Sequence, residues 1–281
     1  MTTTATAADT HRKITTPVIT FENAAGRTVT LIGVVHAGTA RYYVQIQDLI
    51  AVLQEHGARV HVEQVRSNTA SELKAASRGE RKAAEALTLQ LAAVPEMMVH
   101  IRGAVHQRGG LIPQDSWEIH DLDKLTVVRI WGTRTVRTIG LGITTMLTSF
   151  RQQLPSTQRR IWLTTFNLEE GKPLREALAG KRADVEERRE AVALEAMDDA
   201  FIDGASHVVL LWGRGHVPGL SAGLISRGFE PVGEERLTAV DTTELPDLAW
   251  SDAHSGVRDT ASKRWIRSRT MARLEAPRTP R

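Results

Sequence analysis

Apolar and polar residues alternate with two different periods along this chain, and the changes of period mark its elements. Val18-Ile19-Thr20-Phe21 and Thr28-Val29-Thr30-Leu31-Ile32 are β-branched runs on either side of Asn23-Ala24-Ala25-Gly26, the pattern of a hairpin. The second run continues through Gly33-Val34-Val35 and stops at His36. From about Tyr42 to Glu55 the period lengthens: Val44, Ile46, Leu49, Ile50 and Leu53 predict a helix, closed at Gly57. A short strand, Arg59-Val60-His61-Val62-Glu63, completes a βαβ unit whose strands should run parallel.

An Ala-rich helical region is predicted from Ser71 to about Gln107, punctuated by Gly79 and Pro95, and after the Gly109-Gly110 and Pro113 breaks Trp117–Leu122 reads as a third strand. A charged helix from Asp184 to about Asp203 precedes the most apolar strand, His207–Trp212. That strand ends in Gly213-Arg214-Gly215-His216, followed by a short helix from Pro218 to Ser226 and an edge strand near Phe229–Val240. The expected fold class is α/β, a mainly parallel sheet flanked by helices, with an N-terminal β-hairpin and a helical insertion. Residues 1–16 are expected to be a loose leader, 17–245 the α/β domain and 246–281 a basic tail.

Composition narrows the chemistry. The 281 residues are 41% apolar and 25% charged, the balance of a globular protein rather than a disordered one. The absence of Cys excludes a disulfide scaffold, Cys-ligated zinc, a thiol nucleophile and c-type haem attachment. No apolar run reaches the ~18 residues of a membrane span, and the N-terminus has no signal-peptide stretch, so a cytoplasmic protein is expected. The formal charge of +3 is uneven: residues 257–281 hold eight Lys/Arg against Asp259 and Glu275, and the rest of the chain is mildly acidic. With no aromatic interleaving in the tail, no specific nucleic-acid partner is expected.

Two strand ends carry the same motif. Gly33-Val34-Val35-His36 and Gly213-Arg214-Gly215-His216 are both Gly-x-x-His, each at the carboxyl end of an apolar strand and before a helix. In an open parallel sheet those ends line one crevice, where ligands bind. Glu63 ends a third strand, so His36, Glu63 and His216 should converge. Two neutral imidazoles and a carboxylate suit a divalent metal such as Zn, Mn or Co with an open position for water. Gly33 and Gly213 would allow close backbone approach, His61 is a packed or surrounding group two residues before Glu63, and Asp121 or His120 could join from the Trp117–Leu122 strand.

Thr30–His36 followed by the Glu63 strand resembles the opening of the TraB/PrgY pheromone-shutdown proteins. Gly213-Arg214-Gly215-His216-Val217-Pro218-Gly219-Leu220, followed by Arg227-Gly228-Phe229, is similar to that family's closing motif, and the helix bearing Glu187-Arg188 to the Glu-Arg helix before it. The family stands with the GumN, Tiki, haem-binding ChaN and erythromycin-esterase proteins. The resemblance implies a hydrolase acting on a peptide or other acyl compound at a His/Glu/Arg site, metal-dependent and peptidase-like as in Tiki. It implies Glu187 as a further ligand or general base and Arg188 as an oxyanion stabiliser. Ala37-Gly38-Thr39-Ala40 replaces the usual Ser/Thr-rich stretch, and the hydrophobic C-terminal segments of PrgY-type members are missing.

Two alternatives stay open: a metal-free, esterase-like hydrolase with His36 as base, and a non-enzymatic protein holding haem, a peptide or a small ligand. Two other patterns fail on context. Gly219-Leu220-Ser221-Ala222-Gly223, with Asp241 or Asp247 and His254, places its serine inside a helix rather than at a strand–helix elbow. Gly213-x-Gly215-x-x-x-Gly219 has its third glycine one residue late for a dinucleotide loop. His100 and His106 are not expected to pair, and His11, His56, His207 and His254 read as surface residues.

Overall fold

In a computed structural model, residues 13–98, 104–141 and 181–241 are described. The expectations on residues 1–12 of the leader, the basic tail, His11, His100 and His254 lie outside them. The chain opens with β1 (Lys13–Asn23) and β2 (Thr28–Val34), antiparallel in the register Val18 opposite Ile32. Their turn is set by Asn23, whose Oδ1 accepts from the backbone N–H of Ala25 and Arg27, and by Gly26 at φ +73°, where a side chain would be strained. β3 (Ala37–Thr39) follows, then α1 (Ala40–Glu55), capped by the Thr39 hydroxyl. Next are β4 (Arg59–Val62), α2 (Ala70–Ala75), α3 (Arg78–Met98), β5 (Ala104–His106), the single turn α4 (Gln107–Gly110) and β6 (Trp117–Ile119).

α5 (Lys124–Trp131), with its Asp123 cap, leads into α6 (133–141). The last described stretch holds α7 (Lys181–Ile202), β7 (His207–Gly213), a 3₁₀ turn at Arg214–His216, α8 (Val217–Ser226) and β8 (Phe229–Asp241).

Six strands form one sheet in the order β6-β4-β7-β2-β1-β8. β6, β4, β7 and β2 pair in parallel, and β1 is antiparallel to both β2 and β8. The fold is therefore mixed α/β, mostly parallel, with the N-terminal hairpin in place. A parallel sheet needs cover on both faces, because its crossovers put helices there. On one face Phe21, Val29, Leu31, Val208, Leu210 and Trp212 pack with Met197 and Phe201 of α7 and Leu220 and Leu224 of α8. Ile32 and Val60 are buried as well, and α1, with Tyr42, Tyr43, Ile46 and Ile50 buried, packs against β3, β4 and β8. A second cluster joins α3 (Ala83, Leu87), α5 (Leu125, Val128, Trp131) and Val185 at the start of α7. α7 thus spans both cores.

Four sequence expectations change. β1 begins at Lys13, inside the expected leader, because Ile14 is buried and Thr16 bonds the Tyr42 hydroxyl at 2.9 Å while the strand pairs with β8. The long helical region divides at Ala76–Ser77 into α2 and α3. It gives way to β5, which pairs with β3 and so puts His106 on a strand rather than a helix. The third strand stops at Ile119, because Asp121 turns inward and Arg66 takes the Leu122 carbonyl. β8 extends one residue further than expected, to Asp241, which ion-pairs Lys13. Among the described residues no helix is long and apolar enough to cross a membrane.

Leu31 is fully buried between β1 and β7 under α8. Leu31→Ala removes its contacts and leaves a cavity, and should lower stability by about 2–5 kcal/mol in urea unfolding, whereas Val44→Ala on the exposed side of α1 should change it by under about 0.5 kcal/mol.

Candidate functional site

The carboxyl ends of β4, β6 and β7 meet on one guanidinium. Arg189 of α7 donates from Nε to Asp121 Oδ1 (2.9 Å) and from Nη2 to Asp121 Oδ2 (2.8 Å), a bidentate pair. The same Nη2 reaches Glu63 Oε1 at 2.5 Å, and Nη1 reaches Glu186 Oε2 at 3.1 Å. Glu63 follows the last residue of β4 and is held in register by its own N–H on the Leu211 carbonyl. Its second oxygen, Oε2, accepts from the Gly213 N–H, and a Cβ at Gly213 would sit 2.8 Å from that oxygen, so a side chain there would push the Glu63 carboxylate out of place. Gly33 has a comparable reason: a Cβ there would meet Val217 Cγ2 at 2.9 Å, where α8 starts.

His216 closes the cluster. Its Nδ1 lies 3.2 Å from Glu190 Oε1, and its Nε2 lies 3.1 Å from Glu186 Oε2 and 3.6 Å from Glu63 Oε1. Burial pushes the imidazole down, but Glu63 and Glu190 outweigh it and raise the pKa to about 9. Arg189 Nη1 also approaches His216 Nε2 at 3.1 Å, with the Glu63, Glu186 and Glu190 carboxylates flanking the two groups. Glu63 shows the opposite balance. Burial pushes its carboxyl up, and Arg189 and His216, with a smaller contribution from His36, hold it well below the usual range. Trp212 lines the cluster, edge-on to His216 at 5.1 Å with Arg189 5.6 Å from its ring.

His36 ends the β2 segment on the exposed side of this cluster. Its Nδ1 lies 3.0 Å from Gln107 Oε1 and its carbonyl accepts from the Gln107 N–H at 2.8 Å. His106, in β5, lies beside it, and burial together with His36 lowers the His106 pKa to about 4.

The structure therefore brings Glu63, Asp121 and His216 together and leaves His36 at the margin. Glu187 and Arg188 are not in the cluster. They are exposed and line a shallow groove between α5 and α7 with Thr126, Arg129 and Asp184. At 100° per residue, positions 186, 189 and 190 share a helix face and 187 and 188 turn off it. From this helix Arg189, Glu186 and Glu190 are the residues that reach the strand ends. A signal for them was present: Val185, Arg189, Ala193 and Met197 follow the buried stripe of α7, so a charge at 189 occupies an apolar position.

A metal held by His36, Glu63 and His216, the trio expected from the strand ends, does not fit these donors. Both Glu63 oxygens and both His216 nitrogens already face partners, and Arg189 fills the gap between the two side chains. Among the described residues a different trio has ligand atoms all within 4.8 Å of one another and could hold a metal ion: His61, Glu118 and His120. His61, expected as a surrounding group, is fully buried, and burial followed by the neighbouring His120 lowers its pKa to about 4.

No family model, curated protein or solved structure matches the chain.

His216 gives the cluster a pH signature. A pKa raised from 6.5 to about 9 stabilises the fold fully below pH about 6.5, and that stabilisation is lost as pH climbs through about 9. The urea midpoint should fall between pH about 7 and about 10 in the wild type, and His216→Gln should start lower and lose much of that slope.

Proposed function

We propose that this chain is a TraB-like hydrolase of a peptide or other acyl compound, working at the carboxyl edge of the sheet with His36 as the base and without a metal at that edge. The reading is carried by the tautomer of His36. In the tautomer that lets Nδ1 donate to Gln107 Oε1, which only accepts, the lone pair lies on Nε2. His36 is exposed, so water and an acyl substrate have access to that nitrogen. In the reaction Nε2 takes a proton from water as the water oxygen attacks the acyl carbon. The resulting imidazolium returns the proton to the leaving oxygen or nitrogen as its bond to the acyl carbon breaks.

Arg189 does not take the oxyanion role expected of Arg188. Each arm of its guanidinium is committed to a carboxylate, so its part is to hold Glu63 and Asp121 in place. The donor set also favours the metal-free form over the metal-dependent one, since loading a metal between Glu63 and His216 would require Arg189 to leave.

The test is a panel of activated esters and peptides assayed with wild type, His36→Ala and Gln107→Ala. His36→Ala should lose on the order of 100-fold or more in kcat with unchanged thermal unfolding, and Gln107→Ala, which frees the tautomer, about tenfold. Hydrolysis of no member of the panel, or full kcat in His36→Ala, would overturn the reading.

A further inference from the structure

β4 and β6 place three donors on the face of the sheet away from α1. His61 pairs in register with Glu118, and His120 follows Glu118 by two residues, so alternation along the strands turns all three side chains the same way. Glu118 Oε2 lies 3.2 Å from His120 Nε2, and the His61 and His120 rings are 4.3 Å apart between centroids. Arg59, on the same face, fixes the Glu118 carboxylate with Nε and Nη2 at 2.8–3.0 Å.

His61 makes this more than a polar cluster. Its side chain is 0% exposed, yet among the described residues neither Nδ1 nor Nε2 has a hydrogen-bond partner. Buried ring nitrogens are almost always satisfied, and an orphan aimed at a carboxylate and a second imidazole points to a missing ligand.

We infer that His61, Glu118 and His120 form a binding site for a borderline divalent cation of the zinc class, independent of the Glu63–Arg189–His216 cluster. Two imidazoles and one carboxylate are a ligand set that such ions favour over Mg²⁺ or Ca²⁺, which prefer all-oxygen sites. Donors around tetrahedral zinc stand about 3.3 Å apart, close to the Glu118–His120 separation. The side chains of His120 and Glu118 are 31% and 36% exposed, so the site is open to solvent on one side for entry and for a water as fourth ligand. Arg59 then plays the orienting part that a ligating carboxylate requires. The register also joins the site to the fold: an occupied site clamps edge strand β6 to β4.

The experiment is calorimetric titration of the untagged full chain with Zn²⁺, repeated with Mg²⁺, alongside thermal unfolding and the visible spectrum with Co²⁺. One Zn²⁺ per chain, a higher Tm, a tetrahedral Co²⁺ spectrum and no Mg²⁺ binding are expected. His120→Ala and Glu118→Gln, both at half-exposed positions, should each weaken Zn²⁺ on the order of 100-fold, while His36→Ala binds like wild type. No stoichiometric Zn²⁺ and no Tm shift in the wild type would overturn the site. So would Zn²⁺ affinity that survives both substitutions or disappears in His36→Ala.

Discussion

A guanidinium taken out of water must be paired, and Arg189 is paired so completely that it decides how this molecule closes. Its carboxylate partners arrive from the ends of β4 and β6 and from one turn earlier in α7, and beside it His216 arrives from the end of β7. Moving any of these segments strands a charge in a medium where that costs several kcal/mol. α7 is therefore locked to three strand ends at its first half and to the apolar core through Met197 and Phe201 at its second. Hydrophobic burial supplies the bulk of the stability, and the ion network fixes the register in which the helix lies across the sheet.

The same network divides the chemistry. It consumes the charge that a catalytic arginine or a metal-binding glutamate would need, so Glu63 and His216 serve as an electrostatic floor. What remains reactive lies outside it. His36 bonds Gln107 through one ring nitrogen and has an exposed face, and neither ring nitrogen of His61 has a hydrogen-bond partner among the described residues. β4 connects the two regions: His61 and Glu63 are two residues apart on one strand face, the first turned to β6 and the second to α7.

Period alone made most of the sheet legible. The alternation in Val18–Phe21 and Thr28–Val35 placed the hairpin, and the apolar runs at 59–62 and 207–212 placed the parallel strands whose ends hold Glu63 and His216. β5 was hidden because three residues against a three-residue partner leave no period to read, and the Ala-rich stretch before them reads as helix. Glu187 and Arg188 are what the resemblance to a Glu-Arg motif points to, and adjacency in a motif says nothing of helix phase. The buried stripe through Val185, Ala193 and Met197 carries that phase, and Arg189 falls on it. Glu118 and His120 are two apart in a strand and thus on one face, but nothing local to them identifies His61 as their partner across the ladder.

Arg189 and the strand-end carboxylates act as one unit, and a double-mutant cycle on Arg189→Met and Asp121→Asn measures their coupling by urea unfolding. Because each single variant leaves the other charge buried with too few partners, the cycle should return a coupling energy of about 2–3 kcal/mol, with the double variant less damaged than the two singles combined. Additive single effects, within about 0.5 kcal/mol, would mean that Arg189 and the carboxylates are not one unit.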